Sequence, residues 1–411
     1  MDGRRLGALR LRRPDLLDLH LLDVPLFHLS GAKTAPRPLT DGNPNLPEPS
    51  PRNTPDTTGK NAMHNDKNVF SGPDAIRDFL DPGNLPYLPL VELPASLNPF
   101  AGDGVRIYAK LMGLLPLNNV KAIPAYNMIL EKARSGELDG VRELIENSSG
   151  NTVSSLAIVA RQFGVERTSA YVPAEISWNK LRMLLFFGIR PIVNREPRGP
   201  SEDDPASGVH KARKHGERPE ALNPGQYDNP DNPAAHEKWT GPQIWDQTGG
   251  RISLFCAALG TTGTLIGTAR YLRRRNPDVR VLGVMRAPDA YVPGARTEKL
   301  LNLVRFDWRA HLDHEERVDS EHAYRLSMAM SRRGILAGPS SGMALAGLLQ
   351  HLQKVKDRQG LDALRNSDGD VLCVFPCPDG PLPYLDEYPR YVGASEFPEI
   401  VNEDLLENRP A

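Results

Sequence analysis

Residues 252–276 read "ISLFCAALGTTGTLIGTARYLRRRN". The apolar run "ISLFCAALG" has the length and composition of a fully buried strand. The turn "GTTGT" (260–264) ends it, and "TTGTLIGTARYLRRRN" reads as a helix. Arg273, Arg274 and Arg275 fall in its last turn, where cations suit the negative end of the helix dipole, and are expected to form a solvated helix end. A second strand, "VRVLGVM" (279–285), follows. Strand, helix and strand in this order predict a parallel pair, the repeating unit of an α/β sheet covered on both faces.

The same rhythm extends in both directions. "VRIYAKLM" (105–112) alternates like a strand, and "PAYNMILEKARSGEL" (124–138) has apolar residues at helical spacing with Gly136 near its end. "VRELIEN" (141–147) predicts a strand, and "VSSLAIVARQFG" (153–164) a helix closed by Gly164. "TSAYVPA" (168–174) and "IRPIV" (189–193) predict strands on either side of a helix, "SWNKLRMLLFFG", opened by Ser177 as N-cap. A polar excursion from Asn194 to Gly225 is expected to carry a short helix of its own. Further on come a helix around "SEHAYRLSMAMSRRG" (320–334), the loop "ILAGPSSG" (335–342), a helix "MALAGLLQHLQKVKD" (343–357) and a strand "VLCVFP" (371–376).

The chain has 411 residues, enough for about two or three domains. Its formal net charge of -1 disfavours a nucleic-acid or anionic-membrane binder, which needs a basic surplus or a basic face. Cys256, Cys373 and Cys377 lie in or beside apolar runs; three cysteines in so long a chain are not a disulfide scaffold, and buried thiols in a reducing compartment are expected. His311, His314 and His322 match no metal-ligand spacing, so surface residues and no metal are expected. No apolar run reaches the roughly 20 residues that span a bilayer. The Arg- and Leu-rich start contains Asp2, Asp15, Asp18 and Asp23, which a transit peptide avoids. A cytoplasmic location is expected. Residues 30–67 are rich in Pro, Asn, Asp and Thr and predict disorder, so that 1–68 forms an extension before the folded part, with Met63 close to where that part begins.

Three polar loops join strands to helices and would meet at the carboxyl ends of the strands, where such sheets bind ligands. "GTTGT" offers glycines for close approach, and amides and hydroxyls for a phosphate at a helix N-terminus; an ordinary Gly-Thr turn is the plainer alternative. It is neither a Walker loop nor a dinucleotide fingerprint. "NSSGNT" (147–152) can cradle a carboxylate or merely cap the next helix. In "GPSSG" (338–342), Ser340 or Ser341 is a candidate N-cap. Lys121 stands in the neutral run "LNNVKAIPAYNMI" (117–129). Either it lies on the surface at a helix start, or it is desolvated so that its amine is neutral and nucleophilic.

Taken in order, "NNVKA", "SSGNT", "PGQYDNPDNPAAH", "GTTGTLIGTARYLRRRNPDVRVLGV" and "GILAGPSSGMALAG" resemble the cysteine synthase and cystathionine β-synthase family, pyridoxal-phosphate enzymes of fold type II, over residues 82–378. The resemblance implies an α/β protein of two domains, each a mostly parallel sheet flanked by helices, with a larger cofactor domain (69–111 and 229–400) and a smaller mobile one carrying the substrate loop (112–228). It implies pyridoxal 5'-phosphate as cofactor and Lys121 as the Schiff-base lysine and catalytic base. Asn151 falls at the cofactor's ring hydroxyl, Gly260, Thr261, Thr262, Gly263 and Thr264 at its phosphate, and Ser340 at its pyridine nitrogen. Ser148, Ser149, Gly150 and Thr152, helped by Gln226, fall at the substrate carboxylate. The implied reaction is β-replacement on an activated serine-type amino acid through an aminoacrylate, with a small nucleophile as second substrate, in a homodimer. A dehydratase-type β-elimination and a non-catalytic paralogue serving as a partner protein are the alternatives. The family's usual Asp-Arg after the lysine is here Ala122 and Ile123, its threonine before the Ser-Gly-Asn is Ser148, its glycine after the next threonine is Val153, and a glycine of its phosphate loop is Thr262.

Overall fold

The computed structural model describes residues 68–195 and 204–406. The predicted extension lies outside the described residues, apart from Asn68. In chain order the strands are β1 (Leu90–Glu92), β2 (Val105–Leu111), β3 (Glu143–Asn147), β4 (Arg167–Pro173), β5 (Arg190–Asn194), β6 (Ala221–Leu222), β7 (Leu254–Ala258), β8 (Arg280–Arg286), β9 (His314–Val318) and β10 (Val371–Cys377). The helices are α1 (Ala75–Leu80), α2 (Ala122–Ser135), α3 (Asn151–Arg161), α4 (Trp178–Phe186), α5 (Gly208–Gly216), α6 (Asp231–Ala235), α7 (Gly241–Gln247), α8 (Gly263–Arg275), α9 (Glu298–Leu301), α10 (Ser320–Ser331), α11 (Pro339–Gln359) and α12 (Tyr388–Val392).

They build two sheets. The larger runs β1-β2-β10-β7-β8-β9 and is parallel except for β1, which pairs antiparallel with β2. The smaller runs β5-β4-β3-β6 and is parallel throughout. This is the α/β fold expected of fold type II, one mixed and one parallel sheet flanked by helices. All seven residues of β10 are buried, because α10 and α11 pack on one face of its sheet and α8 on the other. That double burial is why this strand and β7 read as continuous apolar runs rather than alternating ones.

Local signals hold where the chain alone sets them. The Ser177 hydroxyl caps α4 by accepting from the Lys180 amide, and Gly136 ends α2 at φ 80°, a left-handed conformation that suits glycine. The three cysteines are buried and unpaired. Other expectations need correction. Neither Ser340 nor Ser341 caps α11: the N-cap is Gly338, with Pro339 in the first turn, so both serines lie inside the helix. The Arg run ends α8 on the surface as expected, with Arg274 and Arg275 exposed, and its side chains also make surface contacts. Arg273 pairs with Asp313 at 2.5 Å, Arg274 with Glu237, and Arg275 donates to the Tyr271 hydroxyl at 3.2 Å. Strands β1, β6 and β9 were not anticipated. In β9, "HEERV", the sequence around His314 looks like plain surface because three of the five residues are exposed on a sheet edge.

Candidate active site

The parallel strands deliver four loops to one side. The chain leaving β2 reaches Lys121, β3 leads into Ser148–Thr152, β7 into Gly260–Thr264, and β10 into Asp379. Two contacts pin the Lys121 turn to the end of β10: the Val120 amide donates to the Pro378 carbonyl at 2.7 Å, and Asn119 bridges to Asp379. The Asn119 side chain accepts from the Lys121 amide at 2.9 Å and from the Ser155 hydroxyl at 3.2 Å, fixing the lysine at the start of α2. Ala122 and Ile123 are buried and apolar, so the environment beneath the lysine is desolvating. Desolvation lowers the Lys121 pKa, and the Asp379 carboxylate opposes it.

The loop after β3 is shorter than the sequence suggests. Ser148, Ser149 and Gly150 form the turn, while Asn151 and Thr152 are already the first residues of α3. Asn151 donates its side-chain N–H to Asp379 Oδ2 at 2.7 Å. Thr152 donates its hydroxyl to Gln226 Oε1 at 2.8 Å, so two segments predicted to serve the same ligand are joined directly. Gln226 is itself buried, donating Nε2 to the Asn147 carbonyl at 3.1 Å and its amide to Glu146 Oε2 at 3.3 Å. Burial pushes the Glu146 carboxyl up to about 7.

At the other loop, Gly260 and Thr261 follow β7, Thr262 is the N-cap of α8, and Gly263 and Thr264 open the helix. Two glycines are required by close approach. A Cβ on Gly260 would lie 2.4 Å from the Gly294 carbonyl oxygen, and one on Gly263 would lie 2.2 Å from Asn232 Oδ1. Thr262 adopts φ 68°, the left-handed region, which explains why the related pattern has glycine there. Its hydroxyl is buried without a partner. Ser340, 8% exposed, sits in the first turn of α11, which is tied to the β10 end by the Gly338 amide donating to the Asp379 carbonyl at 2.9 Å.

Two residues to which the sequence assigned no role stitch the loops together. Asn232 donates to the Gln226 carbonyl at 2.7 Å and to the Thr261 hydroxyl at 3.2 Å. His236 begins a π-helical turn (236–240), and its ring contacts the Thr240 hydroxyl through Nδ1 at 2.9 Å and the Thr264 hydroxyl through Nε2 at 3.1 Å. Burial, helped by the Lys121 charge, lowers the His236 pKa to about 3, so the ring is neutral. Both lie in or beside "NPAAH", inside a motif already singled out; a histidine ending such a motif was the available signal. Lys121 is thus within electrostatic reach of the α8 loop through His236, and of Asn151 through Asp379.

Comparison with known proteins decides what this arrangement is. Residues 84–362 match the family model described as pyridoxal-phosphate dependent enzyme. The chain belongs to this family. It is similar to cysteine synthase B of Escherichia coli (strain K12), 33% identical over 280 residues that cover 65% of this chain and 85% of that protein. It is also similar to the cysteine synthase of Aquifex aeolicus (strain VF5), 32% identical over 308 residues, covering 72% and 88%. Among solved structures, an O-acetylserine dependent cystathionine beta-synthase from Helicobacter pylori superposes with TM-score 0.62 at 26% identity, over 75% of this chain and 96% of that one. A cysteine synthase from Entamoeba histolytica, at 22% identity and TM-score 0.63 over 80% of this chain and 92% of that one, shares the fold. The protein is therefore a pyridoxal-phosphate dependent enzyme, a divergent member of the cysteine synthase and cystathionine β-synthase group. The residues present fit that cofactor: a desolvated amine, an unpartnered buried hydroxyl at the N-terminus of the 13-residue α8, and first-turn amides that have no acceptor within their own helix. Among the described residues no helix is long and apolar enough to cross a membrane, and no group of three His, Cys, Asp or Glu is placed to hold a metal ion.

Proposed function

We propose that this enzyme catalyses β-replacement on an activated serine-type amino acid in the manner of a cysteine synthase, exchanging a β-leaving group for a small nucleophile. The observation that carries the reading is the position of Lys121, a desolvated amine that feels the charge of Asp379, which holds Asn151, and acts on His236, which contacts Thr264 of the α8 loop. Bound pyridoxal phosphate supplies an electron sink for charge developing at the substrate Cα. Lys121 would anchor the cofactor and take the Cα proton; desolvation keeps its amine free of a proton and so available to accept one, while a nearby anion stabilises the ammonium that results. Thr261, Thr262 and Thr264, with the amides of Gly260–Thr264, would hold the phosphate, Asn151 would donate to the ring hydroxyl, and Ser340 would offer the pyridine nitrogen a neutral hydroxyl. That neutral partner does not favour a protonated ring, so loss of a β-substituent is favoured over transamination.

The substrate carboxylate is assigned to the N-terminus of α3, held by Ser148, Ser149, Gly150 and Thr152. Gln226 keeps the Thr152 hydroxyl in place. The smaller domain, residues 112–228, is assigned the motion that closes over substrate and excludes water, and a homodimer is the assembly the reading carries with it. The test is spectroscopic and chemical. The purified protein is expected to be yellow, and O-acetylserine, O-phosphoserine, serine and cysteine are offered in turn with sulfide as nucleophile. A change in the visible band with formation of a new β-substituted amino acid supports the reading and names the leaving group. Release of a keto acid and ammonia instead replaces it with β-elimination.

A further inference from the structure

Asp379 has been assigned no ligand of its own, yet it contacts Asn119, Asn151 and Gly338, which belong to the loops that have. It stands two residues beyond β10 and is 6% exposed. Its Oδ2 accepts from the Asn151 amide at 2.7 Å and from the Tyr384 hydroxyl at 2.6 Å. Its Oδ1 is buried without a partner and points at the α carbon of Gly338, where a Cβ would lie 2.2 Å away. The fold has made room for this carboxylate: glycine at 338 is required by it, and the backbone of Asp379 accepts the Gly338 amide.

We propose that Asp379 is a positioning residue of the active site, which fixes the Asn151 amide with an N–H left for the cofactor's ring oxygen and supplies the anion that stabilises a proton on the Lys121 nitrogen. The inference rests on the assignments of Lys121 and Asn151 above. The Asn151 Nδ2 carries two hydrogens. One is spent on Asp379, which orients the amide so that its nitrogen, not its oxygen, lies toward the carboxylate; the second remains available to an acceptor in the site. With two donors already on Oδ2, the only place for a proton on Asp379 is Oδ1, so the carboxyl has a defined charged form and a defined neutral form.

The charged groups around Asp379 decide which form it takes. Burial raises the Asp379 pKa above the ordinary carboxylate range; the hydrogen bonds from Tyr384 and Asn151, and then the charges of Lys121 at the start of α2 and Lys180 on α4, act against burial and favour the anion. The Cys377 thiol on β10 and the Tyr388 hydroxyl on α12 lie close enough to feel the charge and are themselves pushed up to about 12 by burial, so neither competes. An anion nearby raises the pKa of an amine or of an imine nitrogen, so removing the anion makes that nitrogen lose its proton at lower pH.

Three variants separate position from charge. Asp379→Asn keeps an acceptor for Asn151 and Tyr384 but removes the charge; Asp379→Ala removes both; Tyr384→Phe removes one donor and leaves the charge. Each is purified with its cofactor. The visible band is titrated with pH, and the α-deuterium isotope effect on the reaction is measured. In Asp379→Asn the cofactor is expected to bind within about threefold of wild type, with the pH midpoint of the visible band lower by about one unit and a larger isotope effect, because Lys121 takes the Cα proton less readily. Asp379→Ala is expected to lose cofactor affinity by roughly tenfold as well, since Asn151 is freed. A wild-type band with the same midpoint and isotope effect in Asp379→Asn overturns the proposal while leaving the cofactor assignments standing. A wild-type protein with no band at all, even after adding cofactor, overturns those assignments instead. If the Asp379 variants fail to fold, Tyr384→Phe decides: circular dichroism is expected to show a folded protein, and because the anion has lost one of its donors the midpoint of the visible band is expected to fall, by less than about one unit; a midpoint at or above the wild-type value overturns the proposal.

Discussion

Two lysines eleven residues apart, one fully buried and one half-buried, are both desolvated and have been put to opposite uses. Lys110, on β2, has 0% of its surface exposed, and burial lowers its pKa to about 7. Its ammonium donates to the Leu88 carbonyl at 2.7 Å, to Gln243 Oε1 at 2.8 Å and to Gln247 Oε1 at 2.6 Å, so every donor is used. Lys121 is also desolvated, but among the described residues its side-chain nitrogen makes no hydrogen bond; it feels Asp379 and His236 only through space. Burial alone therefore does not make an amine reactive. Lys110 ties β2 to the segment before β1 and to α7 and is chemically spent, whereas Lys121 has been desolvated and left unpartnered.

The largest expected effect breaks the reactive member of the pair. Lys121→Ala should lose the visible band and lower kcat/KM roughly a thousandfold or more, while thermal unfolding of the cofactor-free protein moves little or upward, since a desolvated amine has been removed. Lys110→Met should do the reverse. It leaves Gln247 Oε1 without a donor, while the Leu88 carbonyl keeps the Gln247 Nε2–H and Gln243 Oε1 keeps the Leu88 amide; the change is expected to cost about 1–3 kcal/mol in urea unfolding, with the kcat of the folded fraction near wild type. A catalytic defect in Lys110→Met with unchanged stability would erase the distinction.

A pH series sharpens the same contrast. The folded-state pKa of Lys110, about 7, lies below that of the unfolded chain, so between pH 7 and roughly 10 the unfolded state binds more protons and stability rises with pH. The deficit of Lys110→Met relative to wild type should therefore grow between pH 7 and 9.5. Glu146 has the opposite sign: its folded pKa, about 7, lies above the unfolded value, so its contribution is fully present below roughly pH 4 and is lost as pH rises to 7. Unfolding free energies measured at half-unit steps check both slopes.

Thr262→Gly tests the cofactor side with two readouts of opposite sign. Relief of the left-handed threonine should stabilise the cofactor-free protein by about 1 kcal/mol, while loss of its unpartnered hydroxyl should weaken cofactor binding roughly tenfold. The smallest effect is expected for Thr152→Val, which removes the 2.8 Å bond to Gln226: KM for the amino-acid substrate should rise about fivefold to tenfold, with the cofactor band intact. Loss of the band in that variant would move Thr152 from the substrate to the cofactor.

The amino-acid sequence determined what local rules encode. Apolar runs and helical spacing between 105 and 376 fixed the order of the longer elements, because burial on both faces writes a continuous apolar strand and burial on one face writes a 3.6-residue period. Ser177 and Gly136 were legible as helix ends for the same reason: a cap is a contact between near neighbours. The motif loops, with Lys121 among them, were legible through a family pattern. Tertiary structure alone decided the rest. Strands β1 and β6, of three and two residues, are too short to carry a period, and β9 is a charged edge strand whose neighbours, not its residues, make it a strand. Lys110 looks like one alternating residue of "VRIYAKLM"; its partner Gln247 is 137 residues away. Asp379 and Asn151 are 228 residues apart and meet only because β3 and β10 end on the same side of the molecule. A pKa, an unpartnered oxygen and a glycine kept bare to make room are properties of that meeting, and no single stretch of sequence contains them.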